Sequence, residues 1–158
     1  MERPKKPKKK PSVCARDAAF KALARREHSA RELQFKLGQR GYEEADVVQV
    51  LSDLQADGWQ SDQRYADMLA RTRSAQGYGP LRIRAEAHSA GIEESEINRA
   101  IAALEEDFDA LAQRVHAKRF GQTAANPKDW QKQYRYLAGR GFDSEQIRQA
   151  LKSGPPEE

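Results

Sequence analysis

Gly41, Gly91 and Gly141 stand fifty residues apart, and each opens a near-copy of one pattern: GYEEADVVQVL, GIEESEINRAI and GFDSEQIRQAL. A fixed period of this length marks an array of like supersecondary units. Each glycine fits the C′ position that closes a helix, where positive φ favours a residue without Cβ. The apolar residue that follows then reaches back five positions, as in a Schellman turn, pairing Tyr42 with Leu37, Ile92 with Ala87 and Phe142 with Leu137. An acidic residue comes next (Glu43, Glu93, Asp143), where the dipole of a new helix favours negative charge.

The period predicts an all-α fold of three tandem three-helix repeats, helix-turn-helix-like in plan, with boundaries at 12–58, 59–105 and 106–153. The third helices bury Val47, Val50, Leu51 and Leu54, then Ile97, Ala100, Ile101 and Leu104, then Ile147, Ala150 and Leu151. The second helices have readable starts. Ser29 with Glu32 spells a capping box, and His28 with Leu33 a hydrophobic staple. Gly79 and Pro80 take the N-cap and N1 positions, with Tyr78 and Ile83 as the staple. Asn126 and Pro127 do the same work earlier in the third copy. The first helices are expected from about Val13 to Arg26, Asp62 to Gln76 and Asp107 to Phe120.

Composition favours an elongated body with a thin core, since 38% of the 158 residues are hydrophobic and 33% are charged. Residues 1–11 carry a net charge of +5, so the remainder of this +4 chain sums to −1. This proline-broken tail is expected to be disordered, and its Lys5, Lys6, Lys8, Lys9 and Lys10 are candidates for non-specific attraction to nucleic acid. The segment 154–158 is expected to fray after its prolines. No run approaches the roughly 18 apolar residues of a membrane span. With no signal-type apolar region at the N-terminus, a cytoplasmic protein is expected.

Little in the chain reads as catalytic machinery. Cys14 is the one cysteine, which rules out an intrachain disulfide and a cysteine-rich zinc site. A lone thiol in a small amphipathic helix behaves as a small hydrophobe. His28, His88 and His116 lack metal-site spacing, with His28 read as a staple and the others as surface or half-buried side chains. No nucleophile elbow or Ser-His-Asp pattern is present, so neither enzyme activity, metal nor cofactor is expected. Gly77-Tyr78-Gly79-Pro80 lacks both the Walker lysine and a preceding strand, so it reads as a connector rather than a phosphate loop. Basic first and second helices alternate with acidic third ones, a pattern that dipole complementation partly explains. Among the basic residues, Arg64 and Arg71 share an outer face of the fourth helix. Arg71 could pair with Asp67, and Arg82 with Glu86, at helical i,i+4 spacing.

Three stretches carry a resemblance to a known family: LARREHSARELQFKL at 23–37, LQADGWQSDQRYADMLARTRSAQGYGPLRI at 54–83, and RYLAGRGF at 135–142. Together they resemble the bacterial RecX family, modulators of the RecA recombinase, over residues 15–152. Tyr65 stands where the family usually has Phe, and Ala87 where it usually has Leu, both on apolar faces. The resemblance implies a curved array that binds along the groove of the RecA filament on single-stranded DNA. It implies inhibition of filament growth, ATP hydrolysis, strand exchange and LexA cleavage. The candidate contacts are Arg64, Arg71, Arg73 and Arg82, followed by Arg25, Arg26, Arg135 and Arg140, with the protein acting as a monomer. The rival reading is a helix-turn-helix-like nucleic-acid binder that works without RecA.

Overall fold

The computed structural model describes residues 11–152, which contain nine helices and no strand. The helices are α1 (Ala15–Arg25), α2 (Ala30–Gln39), α3 (Glu44–Ala56), α4 (Asp62–Ala75), α5 (Pro80–Ser89), α6 (Glu94–Ala103), α7 (Phe108–Arg119), α8 (Pro127–Gly139) and α9 (Ser144–Leu151). The tail lysines Lys5, Lys6, Lys8, Lys9 and Lys10 and the segment 154–158 lie outside the described residues. No described helix is long and apolar enough to cross a membrane.

The local signals of the sequence appear as hydrogen bonds. Gly41, Gly91 and Gly141 have φ of 93°, 80° and 94°. The N–H groups of Tyr42, Ile92 and Phe142 donate to the carbonyls of Leu37, Ala87 and Leu137 at 3.2, 3.1 and 3.2 Å. Those bonds satisfy carbonyls that each helix end leaves without an intrahelical partner. Ser29 accepts from the Glu32 N–H at 3.1 Å, and Asn126 from the Asp129 N–H at 2.8 Å. The carboxylate of Glu32 pairs with Arg26 at 3.1 Å. The fully reciprocal capping box lies at α9, between Asp143 and Gln146. Glu43 and Glu93 make no side-chain cap bond and act through charge alone.

The chain divides into two compact units, one ending at Tyr65 and one beginning at Ala66, so the boundary falls within α4. In the first unit α1, α2 and α3 pack on one another around Ala18, Ala19, Leu33, Leu37, Val47, Leu51 and Leu54. Alanine at the α1 positions lets the helices approach closely. Trp59, itself exposed, meets Phe20 edge to face with 5.4 Å between centroids. Gln60 is buried and donates to the His28 carbonyl at 3.1 Å and to Asp62 at 2.9 Å. Asp62 also accepts from the Ala30 N–H at 2.9 Å, so a residue that starts α4 satisfies an orphan donor of α2.

In the second unit α7, α8 and α9 enclose Leu111, Ala112, Leu137, Phe142, Ile147, Ala150 and Leu151. Helix α5 packs on α6, and Ile83, Ala87, Ile92, Ile97 and Ala100 are buried. Two expectations need correction. Cys14 is exposed at the N-cap of α1 and not on a helix face. His116 is buried, because its Nε2 has a polar partner, the Gln133 side chain at 2.7 Å.

Candidate functional site

Helix α4 carries the sequence RYADMLARTR, and its arginines take different roles. Arg64 pairs with Glu27 at 3.0 Å and donates to the Trp59 carbonyl at 3.1 Å, tying the α1–α2 turn to the start of α4. Arg73 pairs with Glu86 of α5 at 2.6 Å, and Arg82 reaches the other oxygen of the same carboxylate at 2.8 Å. Burial alone would push the Glu86 carboxyl up. The hydrogen bonds and charges of Arg82 and Arg73 outweigh that and hold it below the ordinary carboxylate value. Arg71 is exposed, beside a shallow depression lined by Asp67, Ala100, Ala103 and Leu104.

The loop after α4 forms a joint with the end of α8. The N–H of Gly79, at the N-cap of α5, donates to the Arg140 carbonyl at 2.8 Å, and that of Leu81 to the Gly141 carbonyl at 3.0 Å. Donors at a helix start are thus met by carbonyls at a helix end, with helix polarities that favour the match. The backbones touch so closely that a Cβ on Gly79 would lie 2.7 Å from the Phe142 nitrogen. One on Gly141 would lie 2.6 Å from the Arg82 nitrogen.

Arg140 completes this joint. Its guanidinium donates to the carbonyls of Gly77, at 3.3 Å, and Gln76. It also lies 4.0 Å from the centroid of Tyr78, whose ring Arg82 approaches at 4.8 Å. Tyr78, expected as a staple for Ile83, is therefore faced by two cations. The Gly-Tyr-Gly-Pro stretch is a docking element between the second and third repeats.

Of the eight arginines singled out, Arg26, Arg64, Arg73, Arg82 and Arg140 have internal partners. Arg25, Arg71 and Arg135 are exposed, with no side-chain partner among the described residues. Arg73 and Arg82 meet at Glu86, Arg82 and Arg140 at Tyr78, and Arg25 and Arg26 line one groove of the first unit. Sequence reasoning foresees the Arg82–Glu86 pair from its spacing but not the second claim on Glu86 by Arg73, thirteen positions away. Histidines and carboxylates do not form a metal cluster among the described residues.

The helices and their turns define an all-α protein of tandem three-helix units. Three family models match it in series: the first three-helix domain of RecX over residues 15–54, the second over 61–101 and the third over 105–151. The chain belongs to the RecX family. It is 47% identical over 137 residues to the Regulatory protein RecX of Acidithiobacillus ferrooxidans, covering 86% of this chain and 87% of that one. It is 38% identical over 136 residues to the Regulatory protein RecX of Chromohalobacter salexigens, covering 86% and 90%. The crystal structure of RecX from Lactobacillus salivarius matches with a TM-score of 0.72 at 19% identity, covering 87% of this chain and 92% of that one. A second RecX crystal structure matches with a TM-score of 0.73 at 24% identity, covering 87% and 73%. At these identities the structural likeness speaks to the fold.

Proposed function

We propose that this protein regulates the RecA recombinase from the cytoplasm, without catalysis or cofactor. It lodges in the helical groove of the RecA filament on single-stranded DNA and bridges neighbouring protomers. Filament extension, ATP hydrolysis, strand exchange and LexA cleavage are inhibited as a result. Membership of the RecX family along all three repeats carries this reading. The relatives from Acidithiobacillus ferrooxidans and Chromohalobacter salexigens are both called regulatory proteins.

We rank the candidate arginines by the internal partners each already has. Arg71, Arg135 and Arg25 are the leading contacts, because their guanidinium groups can bind a partner's carboxylates without first breaking an internal bond. Arg64, Arg73, Arg82, Arg140 and Arg26 shape the surface and add contacts at its rim. The test is single-stranded-DNA-dependent ATP hydrolysis by RecA, measured with the wild-type protein and with the double variant R71E/R135E. Both substitutions lie at exposed positions, so folding should be retained. Wild-type protein is expected to inhibit hydrolysis and the double variant to need at least tenfold more protein, equal to about 1.4 kcal/mol. Full inhibition by a folded double variant would remove these two contacts from the account.

A further inference from the structure

A groove of about 560 Å3 lies between α1 and α2 of the first unit, within the size range of ligand sites. Its walls carry Lys21, Arg25, Arg26, Lys36 and Arg40, with His28 at its base, and no carboxylate lines it. Cations drawn together without counter-charge repel one another. Elsewhere the chain supplies that counter-charge: Arg16 faces Asp57, Arg64 faces Glu27, Arg84 faces Glu94 and Arg114 faces Glu106. At the groove Arg26 has Glu32 at 3.1 Å. Lys21, Arg25 and Arg40 have no acidic partner among the described residues.

Lys36 is held by a neutral group. His28 is 2% exposed. Its Nδ1 lies 2.9 Å from the Arg26 carbonyl, which can only accept, so Nδ1 carries the proton and donates. Nε2 is then the acceptor for the Lys36 ammonium at 2.8 Å. Burial, with the nearby charges of Arg26 and Lys36 adding to it, outweighs the carbonyl bond and lowers the His28 pKa from its ordinary 6.5. The imidazole is therefore neutral at neutral pH. It fixes the ammonium at the groove without cancelling its charge.

We propose that this groove binds the phosphodiester backbone of a nucleic-acid strand, with Lys21, Arg25, Lys36 and Arg40 set against consecutive phosphates. Cations spread along an open groove of this size exceed what one phosphate can meet. No Phe, Tyr or Trp lines the groove, and its one ring, His28, is buried with both nitrogens engaged, so bases do not stack there and binding is independent of sequence. The groove shares Arg25 and Arg26 with the proposed filament contacts, but its test needs no RecA, so its failure and the failure of that reading are told apart.

The probe is a fluorescein-labelled single-stranded oligothymidylate, its anisotropy followed over a salt series with the full chain and with the folded variant K21Q/R25Q/R40Q. The basic tail is common to both and drops out of the difference. Loss of three phosphate contacts lowers the slope of log affinity against log salt by about 2, roughly 0.7 for each. The single variant R25Q, at an exposed side chain, loses about 0.7 and serves if the triple variant does not fold. An unchanged slope in folded variants overturns the proposal. So does displacement of the oligonucleotide by polyglutamate or by inorganic phosphate at matched ionic strength and charge. The first would make the groove an acidic-protein site and the second a site for free phosphate.

Discussion

Replacing Gly79 by Ala probes the joint between the second and third repeats. Gly79 has φ −84° and ψ 173°, a conformation alanine adopts freely. On backbone grounds the substitution should therefore stabilise the protein by about 0.4–1 kcal/mol, through the unfolded chain. The new Cβ, however, would sit 2.7 Å from the Phe142 nitrogen and against the Gly141 carbonyl, main-chain atoms that cannot rotate away. The α5 start and the α8–α9 turn must part. That costs two hydrogen bonds, from Gly79 and Leu81, at about 1 kcal/mol each, with overpacking strain of about 1–3 kcal/mol. The net expectation is a loss of about 2–4 kcal/mol, which would lower the midpoint of a unit this size by about 10 °C or more. Urea and thermal unfolding, read by Trp130 fluorescence in a Trp59→Phe background, isolate the second unit, because each unit holds one tryptophan. Gly139→Ala is the control: nothing lies within 4 Å of its Cβ, and stability should hold or rise by a few tenths of a kcal/mol. A Gly79→Ala protein as stable as the wild type would refute the backbone joint.

Two further perturbations test the electrostatics. Glu86→Gln should cost about 1 kcal/mol at neutral pH, a modest figure because Arg82 is partly exposed. A depressed carboxyl pKa gives stability that is full above its ordinary 4.5 and lost as pH falls through the lowered value, so the variant and wild type should converge in acid. The lowered pKa of His28 means that the unfolded chain takes up its proton first. First-unit stability, read by Trp59, should then fall below pH 6.5, by up to about 1.4 kcal/mol per pH unit, and His28→Gln should flatten that slope. A wild-type profile that stays flat through this range would contradict the neutral buried imidazole.

What can be seen in the sequence is local. The C′ glycines, the Ser29 and Asn126 caps and the Gly79-Pro80 start depend on residues within six positions of one another, and their spacing carries the information. The capping box at Asp143 and Gln146 is equally local, yet an acidic residue just after a C′ glycine reads first as charge. What stays hidden depends on tertiary approach. Arg140 and Gly77 are sixty-three positions apart, and nothing in either segment announces that one's guanidinium meets the other's carbonyl. Gly79 is readable as a cap, whereas the reason it must lack a side chain lies in the main chain at 141–142. The arginines stand out in the sequence by their number and spacing. Their division into paired and unpaired groups needs Glu27, Glu32 and Glu86 to be placed in space. The groove between α1 and α2 is invisible for the same reason: Lys21 and Lys36 converge only once the two helices pack.

The central claim is a direct association with the RecA filament, and co-sedimentation tests it most directly. RecA assembled on single-stranded DNA with a non-hydrolysable nucleotide would be pelleted with the wild-type protein, with R71E/R135E and with K21Q/R25Q/R40Q. Free DNA and free RecA serve as separate controls. Wild-type protein should enter the pellet with the filament at low micromolar concentration or below. The R71E/R135E variant should do so at least tenfold more weakly, while free RecA or DNA alone retains less of either. A wild-type protein that stays in the supernatant with assembled filaments would contradict the account.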